Sequence, residues 1–151
     1  MEDIKPNRGY LATVTGCYCP RCREGKLFRH RTSVGLKRNL LMHETCLVCG
    51  QPTDIEVGFY YGTGFVSYFI CIFISVASFL FWWLVIGFSY GDNRFLFWVF
   101  GNAIALLLLQ PWLMRFSRSL WISWFVSYDP DWRQTKPVDT GRTNADHMTN
   151  W

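Results

Sequence analysis

The chain has 151 residues, with 15 Lys and Arg against 11 Asp and Glu, and a formal net charge of +4. That balance is too modest to argue for nucleic acid, and the apolar residues gather in the middle third instead of spreading as a soluble domain's do. Aromatic residues make up 19% of the chain and include eight Trp, a composition suited to membrane–water interfaces, where a ring is apolar and its N–H stays wet.

Residues 1–16 form a polar lead with no apolar core and no small-residue cleavage site, so no cleaved secretory signal is expected. Residues 17–52 carry two Cys-x-x-Cys knuckles, Cys19-Pro20-Arg21-Cys22 and Cys46-Leu47-Val48-Cys49. Two residues between ligands let both sulfurs point into one turn, and four thiolates in this pattern predict a closed tetrahedral zinc site. Iron in the same tetrathiolate set is chemically allowed. The connecting stretch has few large apolar residues, so the metal is expected to supply the folding energy, roughly 10–16 kcal/mol for structural zinc. A redox dithiol is the competing reading of a Cys-x-x-Cys, but it needs an α/β context that is missing here. Cys17 reads as an ordinary packed or exposed cysteine beside the site, with a spare ligand or a redox-sensitive thiol as the alternative, and His30 and His43 are not needed as ligands. A closed site offers no position for water, so hydrolytic metal catalysis is not expected.

Residues 53–64 read as a juxtamembrane bend, with turn glycines among interfacial aromatics. Residues 65–88 and 95–114 contain no Asp, Glu, Lys, Arg or His. At 1.5 Å per residue, about 20 residues cross the hydrocarbon core, so both are long enough to span it. The link between them is short and predicts an antiparallel hairpin, with turn chemistry at Gly91-Asp92-Asn93. Asn102 and Gln110 are the candidates for hydrogen bonds across the hairpin or to a partner helix. Pro111 is expected to bend the second span near its end.

Residues 115–128 place Arg115, Arg118, Trp121 and Trp124 among four Ser and read as a separate interfacial helix, with the four named side chains contacting lipid or a partner. Residues 129–151 carry no apolar pattern and are expected to be disordered. Nine Lys and Arg in residues 1–64 and five in residues 115–151 flank a link with one. The positive-inside rule then puts both termini in the cytoplasm. The fold expected is a mainly α membrane protein, a two-helix transmembrane hairpin carrying a small N-terminal zinc ribbon.

Cys19-Pro20-x-Cys22-x-x-Gly25-Lys26-Leu27-Phe28, then Cys46-x-x-Cys49-Gly50, then two spans, resembles the bacterial family catalogued as domain of unknown function 983. Gly58-Phe59-Tyr60-Tyr61-Gly62, and Phe116-Ser117-Arg118-Ser119 followed by Trp121-Ile122 and Tyr128-Asp129, look like its Bacteroidota branch. The resemblance covers residues 19–129 and implies a small multi-pass protein of the bacterial inner membrane, with a cytoplasmic zinc-ribbon-like head. It brings no established activity and no catalytic residues. A non-enzymatic accessory or assembly subunit of a larger membrane complex, with a respiratory complex among the candidates, is the expected role. Its partners would be the lipid bilayer and either that complex or further copies of the chain, with no nucleic acid and no small-molecule substrate. A membrane-anchored zinc or thiol redox sensor is the alternative.

Overall fold

The computed structural model describes residues 8–30, 36–56, 58–87 and 93–137. Among them, four α-helices and one 3-10 turn occur in the order α1 (Tyr10–Thr15), α2 (Leu36–Asn39), the 3-10 turn (Phe59–Gly62), α3 (Thr63–Ile86) and α4 (Arg94–Phe125). Among the described residues there is no strand. The head instead carries three isolated antiparallel bridges, Tyr18 with Lys26, Phe28 with Met42, and Thr45 with Pro52. The ribbon expected around the cysteines is thus reduced to single bridge pairs.

Helices α3 and α4 are long and apolar enough to cross a membrane. Both are apolar nearly all round, so no stripe singles out an inward face. Phe69, Phe73, Phe81, Leu84, Phe97, Phe100, Leu107 and Leu108 all stand exposed on the hairpin. The helices run antiparallel. Trp98 meets Ser78 and, one turn further along α4, Asn102 meets Ser75 one turn back along α3. Asn102 donates to the Ser75 hydroxyl at 3.0 Å and accepts from Ser78 at 3.2 Å. In hydrocarbon such side chains have no water to turn to, and each bond holds the pair by roughly 0.6–2 kcal/mol. Phe79 packs edge-on against Trp98 at 5.0 Å between centroids, next to the same polar pair. Gln110 is half-buried, and among the described residues no hydrogen bond from it crosses the hairpin.

The boundaries depart from the sequence reading in three places. α3 begins at Thr63 directly from the 3-10 turn and stops at Ile86, where Gly87 takes φ +74°. α4 does not stop at Met114. It runs unbroken for 32 residues through Pro111, so the separate interfacial helix expected over 115–128 is the last part of one rod. At 1.5 Å per residue the rod is about 48 Å long, well beyond the ~30 Å hydrocarbon core, so its C-terminal third projects into the head. Pro111 has no N–H to return to the carbonyl one turn back, yet the rod continues through it; the Asn39 amide donates to the Pro111 carbonyl at 2.7 Å and ties this part of α4 to the head. Third, residues 129–137 are folded onto the head and not disordered. The turn expected at Gly91 and Asp92 and the tail beyond residue 137 lie outside the described residues.

The core sits where the head meets α4. Leu27 and Ile122 are completely buried there with Cys19, Cys22, Phe28, Cys46 and Val126, and Trp132 packs against them. The head, the end of α4 and residues 129–137 therefore form one unit at one end of the hairpin.

Candidate metal centre

The two knuckles are built the same way. In the first, the Arg23 amide returns to the Cys19 carbonyl at 2.8 Å; in the second, the Gly50 amide returns to the Cys46 carbonyl at 2.9 Å. The residue after the second cysteine then turns left-handed in both, at φ +59° for Arg23 and φ +69° for Gly50. A second bond closes each loop from outside, Cys19 N–H to Gly25 O at 2.7 Å and Cys46 N–H to Gln51 O at 2.8 Å.

These turns bring the Sγ atoms of Cys19, Cys22, Cys46 and Cys49 all within 4.8 Å of one another. Across the knuckles, Cys19 lies 3.7 Å from Cys49 and Cys22 lies 3.8 Å from Cys46. A tetrahedron of Zn–S bonds near 2.3 Å has sulfur–sulfur edges of about 3.8 Å, which these separations match. They are far too long for disulfides, whose sulfurs are about 2.05 Å apart. The four residues fit a closed tetrathiolate metal site, and the donor set suits zinc or iron. Hydrogen bonding among the four thiols holds Cys19 far above its ordinary pKa and Cys46 far below. Four sulfurs so placed cannot all ionise without a cation among them.

Gly25 is part of the cage although it supplies no ligand. A Cβ there would fall 2.4 Å from the Cys46 Sγ, and its amide points at the Cys22 Sγ from 3.5 Å. The spacing Cys22-x-x-Gly25 is the one signal of this in the sequence. Cys17 stands outside the cage. Burial pushes its thiol up to about 11, against the opposing pull of Arg115 and Lys26. Among the described residues the cage draws on no histidine.

The arginines expected at the lipid surface are inside the head. Arg115 and Arg118 are each 6% exposed. Arg115 donates through Nε to the Asn39 carbonyl at 2.9 Å and also reaches the His30 carbonyl, while Arg118 donates to the Leu40 carbonyl at 3.1 Å. Their planes lie over the Phe28 and Tyr60 rings, at 4.6 and 5.0 Å. They pin the loop between the knuckles to α4, because that loop has carbonyls to satisfy and few apolar side chains to bury. Trp121 packs against Phe59 and over Gly62, where a Cβ would meet its ring at 2.3 Å. Trp124 alone of the four stays largely exposed.

Arg21 was not singled out by the sequence, yet it is the most connected side chain of the site. It is 2% exposed between Cys19 and Cys22. Its guanidinium donates to Asp129 Oδ2 at 3.3 Å, to the Thr135 carbonyl and hydroxyl at 2.8 Å each, to the Lys136 carbonyl at 2.9 Å and to the Cys49 carbonyl at 3.4 Å. The Asp129 amide returns a bond to the Arg21 carbonyl at 3.1 Å. One buried cation thereby ties residues 129–136 to both knuckles.

Compared with known proteins, the chain matches no family model, no curated protein and no solved structure.

Proposed function

We propose that the chain is a non-enzymatic, two-span protein of the bacterial inner membrane, with a zinc-clamped head in the cytoplasm, and that it serves as an accessory or assembly subunit of a larger membrane complex. The observation that carries the reading is the pairing of a closed thiolate cage with a hairpin that leaves most of its large apolar side chains outward. A closed cage stabilises the head and has no coordination position for a substrate. The outward Phe, Leu and Trp faces are covered by lipid or by partner helices. The resemblance to the family catalogued as domain of unknown function 983 agrees with this arrangement. The packing of residues 8–30 and 129–137 at one end of the hairpin supports termini on one side, and the Lys and Arg counts favour the cytoplasm as that side.

Purification in mild detergent tests it, with metal analysis and mass spectrometry of what comes along. About one zinc per chain and a recurrent set of membrane subunits is the expected result. A chain that carries iron, or that purifies alone from membranes at every detergent strength, overturns the corresponding part. A cysteine placed at Asp92 should react with impermeant reagent outside intact cells; protection there reverses the topology.

A thiol-sensor reading draws on one contact. Arg21 lies within the first knuckle and holds residues 129–136, so loss of the metal would loosen that segment. Under this reading mild oxidant releases zinc and exposes the segment to protease in the same step; a structural site keeps both.

A further inference from the structure

A cleft of about 330 Å³ opens where α4 enters the head, between the end of α1, residues 26–30 and α4. Among the described residues its charged lining is all of one sign: Lys26, Arg29 and Arg115 face it with His30, and no Asp or Glu does. Lys26 and Arg29 are exposed, and Arg115, nearly buried, forms the floor. Arg29 is oriented by a bond from Nε to the Met42 carbonyl at 3.1 Å, and its Nη2 meets Glu44 at 3.7 Å outside the cleft, but both side chains of that pair are about half exposed or more, and such pairs are worth only ~0–1 kcal/mol. An incoming anion competes with that contact easily.

The cleft also has an apolar side. Trp112 lines it, stacked on Phe116 at 5.0 Å. Leu108 lies one turn back on the same face of α4 and is 78% exposed. A continuous apolar track thus leads from the span into the cationic cleft. Trp112 stands just before the last third of the rod, the height at which α4 leaves hydrocarbon for the head.

We propose that this cleft binds a phosphate group, and that its occupant is the headgroup of an anionic phospholipid, with acyl chains along Leu108 and Trp112 and the phosphate against Lys26 and Arg29, above the charge of the buried Arg115. A free phosphate compound shares the headgroup's chemistry but has no use for the apolar track. Surface contact by an interfacial helix would recruit lipid through any exposed cation. The cleft instead selects two particular ones.

Native mass spectrometry of the full chain in detergent, titrated with phosphatidylglycerol or phosphatidylcholine, tests it. The Lys26→Gln/Arg29→Gln double is compared with Arg133→Gln/Lys136→Gln, which removes the same charge from the tail segment. Each basic residue near the surface is worth about fivefold, so the cleft double should lose roughly 30-fold in phosphatidylglycerol affinity. The tail double should keep it, and both should keep their metal. Phosphatidylcholine should bind more weakly to the parent chain. Inorganic phosphate in a parallel titration separates the sources. Failure to displace the lipid supports the headgroup, whereas displacement that vanishes in the cleft double leaves the phosphate site standing and assigns it a soluble ligand. Equal losses in the two doubles, or none in the cleft double, overturn the proposal, and neither result bears on the metal cage or the accessory role.

Discussion

The two knuckles are near-identical as backbone and unlike as surfaces. The first is closed over: Cys19 and Cys22 are buried, Arg21 between them is locked to residues 129–136, and Arg23 stacks on Tyr128 at 4.0 Å. The second is open at its tip, where Leu47 is 76% and Val48 42% exposed. Backbone hydrogen bonds impose the same turn on both, because the same sulfur geometry is needed twice. The residues between the cysteines take no part in the cage and are free to differ. The first knuckle uses them to hold the chain's own C-terminal segment, and the second presents them outward.

The largest effects should erase the asymmetry, because both knuckles contribute to one four-sulfur cage. Cys19→Ser and Cys46→Ser should each remove the metal and with it a share of the roughly 10–16 kcal/mol such a site supplies. Zinc content and protease resistance of residues 8–56 should fall alike in both. A head that tolerates one substitution and not the other would mean that the knuckles do not share a site. Gly25→Ala removes no ligand, yet its Cβ would displace the Cys46 sulfur. It should lower metal occupancy as well, and unchanged zinc in that variant would show that the cage is looser than its 3.7–3.8 Å edges imply.

The cage was legible because metal chemistry fixes both residue type and spacing. Cys19, Cys22, Cys46 and Cys49 were identifiable from a sequence signal that short-range geometry enforces. The two apolar helices were legible for a similar reason, since bilayer thickness sets their length. What was not legible is long-range. Arg115 and Arg118 beside Trp121 and Trp124 make the composition of an interfacial helix, and composition does not say that backbone carbonyls 76 and 78 residues upstream are waiting for the two guanidiniums. Residues 129–137 look disordered for want of apolar residues, and they are ordered by one buried arginine 108 residues away from Asp129. Pro111 reads as a bend near the end of the second span, and the Asn39 amide that ties this part of α4 to the head is likewise remote.

Arg21→Ala should separate the knuckles. Hydrogen bonds to charged groups contribute about 1.5–3 kcal/mol each in net terms, and the substitution removes several at once. The tail segment should become cleavable near Asp131 while the cage keeps its metal. Val48→Ala, on the open tip, should change neither, because surface substitutions stay within about 0.5 kcal/mol. Tail release in both variants would make the asymmetry a matter of general head stability.

A smaller effect tests the turns. Gly50→Ala puts a side chain into a left-handed residue at about 1–2 kcal/mol. Space is not the obstacle, since the nearest atom to a new Cβ is the Pro137 ring at 3.7 Å. Arg23→Gly removes the same strain from the first knuckle but gives up the Tyr128 stack and a bond to the Arg8 carbonyl at 2.9 Å. Denaturant midpoints should therefore fall for Gly50→Ala and stay nearly level for Arg23→Gly. A rise with Arg23→Gly would mean that the strain outweighs the contacts.

The smallest effect is a pH dependence confined to the first knuckle. The Thr135 hydroxyl, the Asp131 amide and Arg21 hold the Asp129 carboxyl below its usual range. A carboxyl whose folded pKa is depressed contributes its stability in full above the unfolded value, about 3.9, and loses it as pH falls through the folded value. Acid also protonates metal thiolates, so a bare acid titration would mix the two events. Asp129→Asn separates them, since it imitates the neutral acid at pH 7 with the cage intact. The tail segment of that variant should be more open to protease than the parent's and less so than in Arg21→Ala, because Arg21 retains its bonds to the Thr135 and Lys136 carbonyls. Below pH 4 the parent's tail should approach the variant's, and the variant's own opening should follow metal release alone. An Asp129→Asn tail as protected as the parent's would show that the carbonyl contacts, and not the carboxylate, hold the segment to the first knuckle.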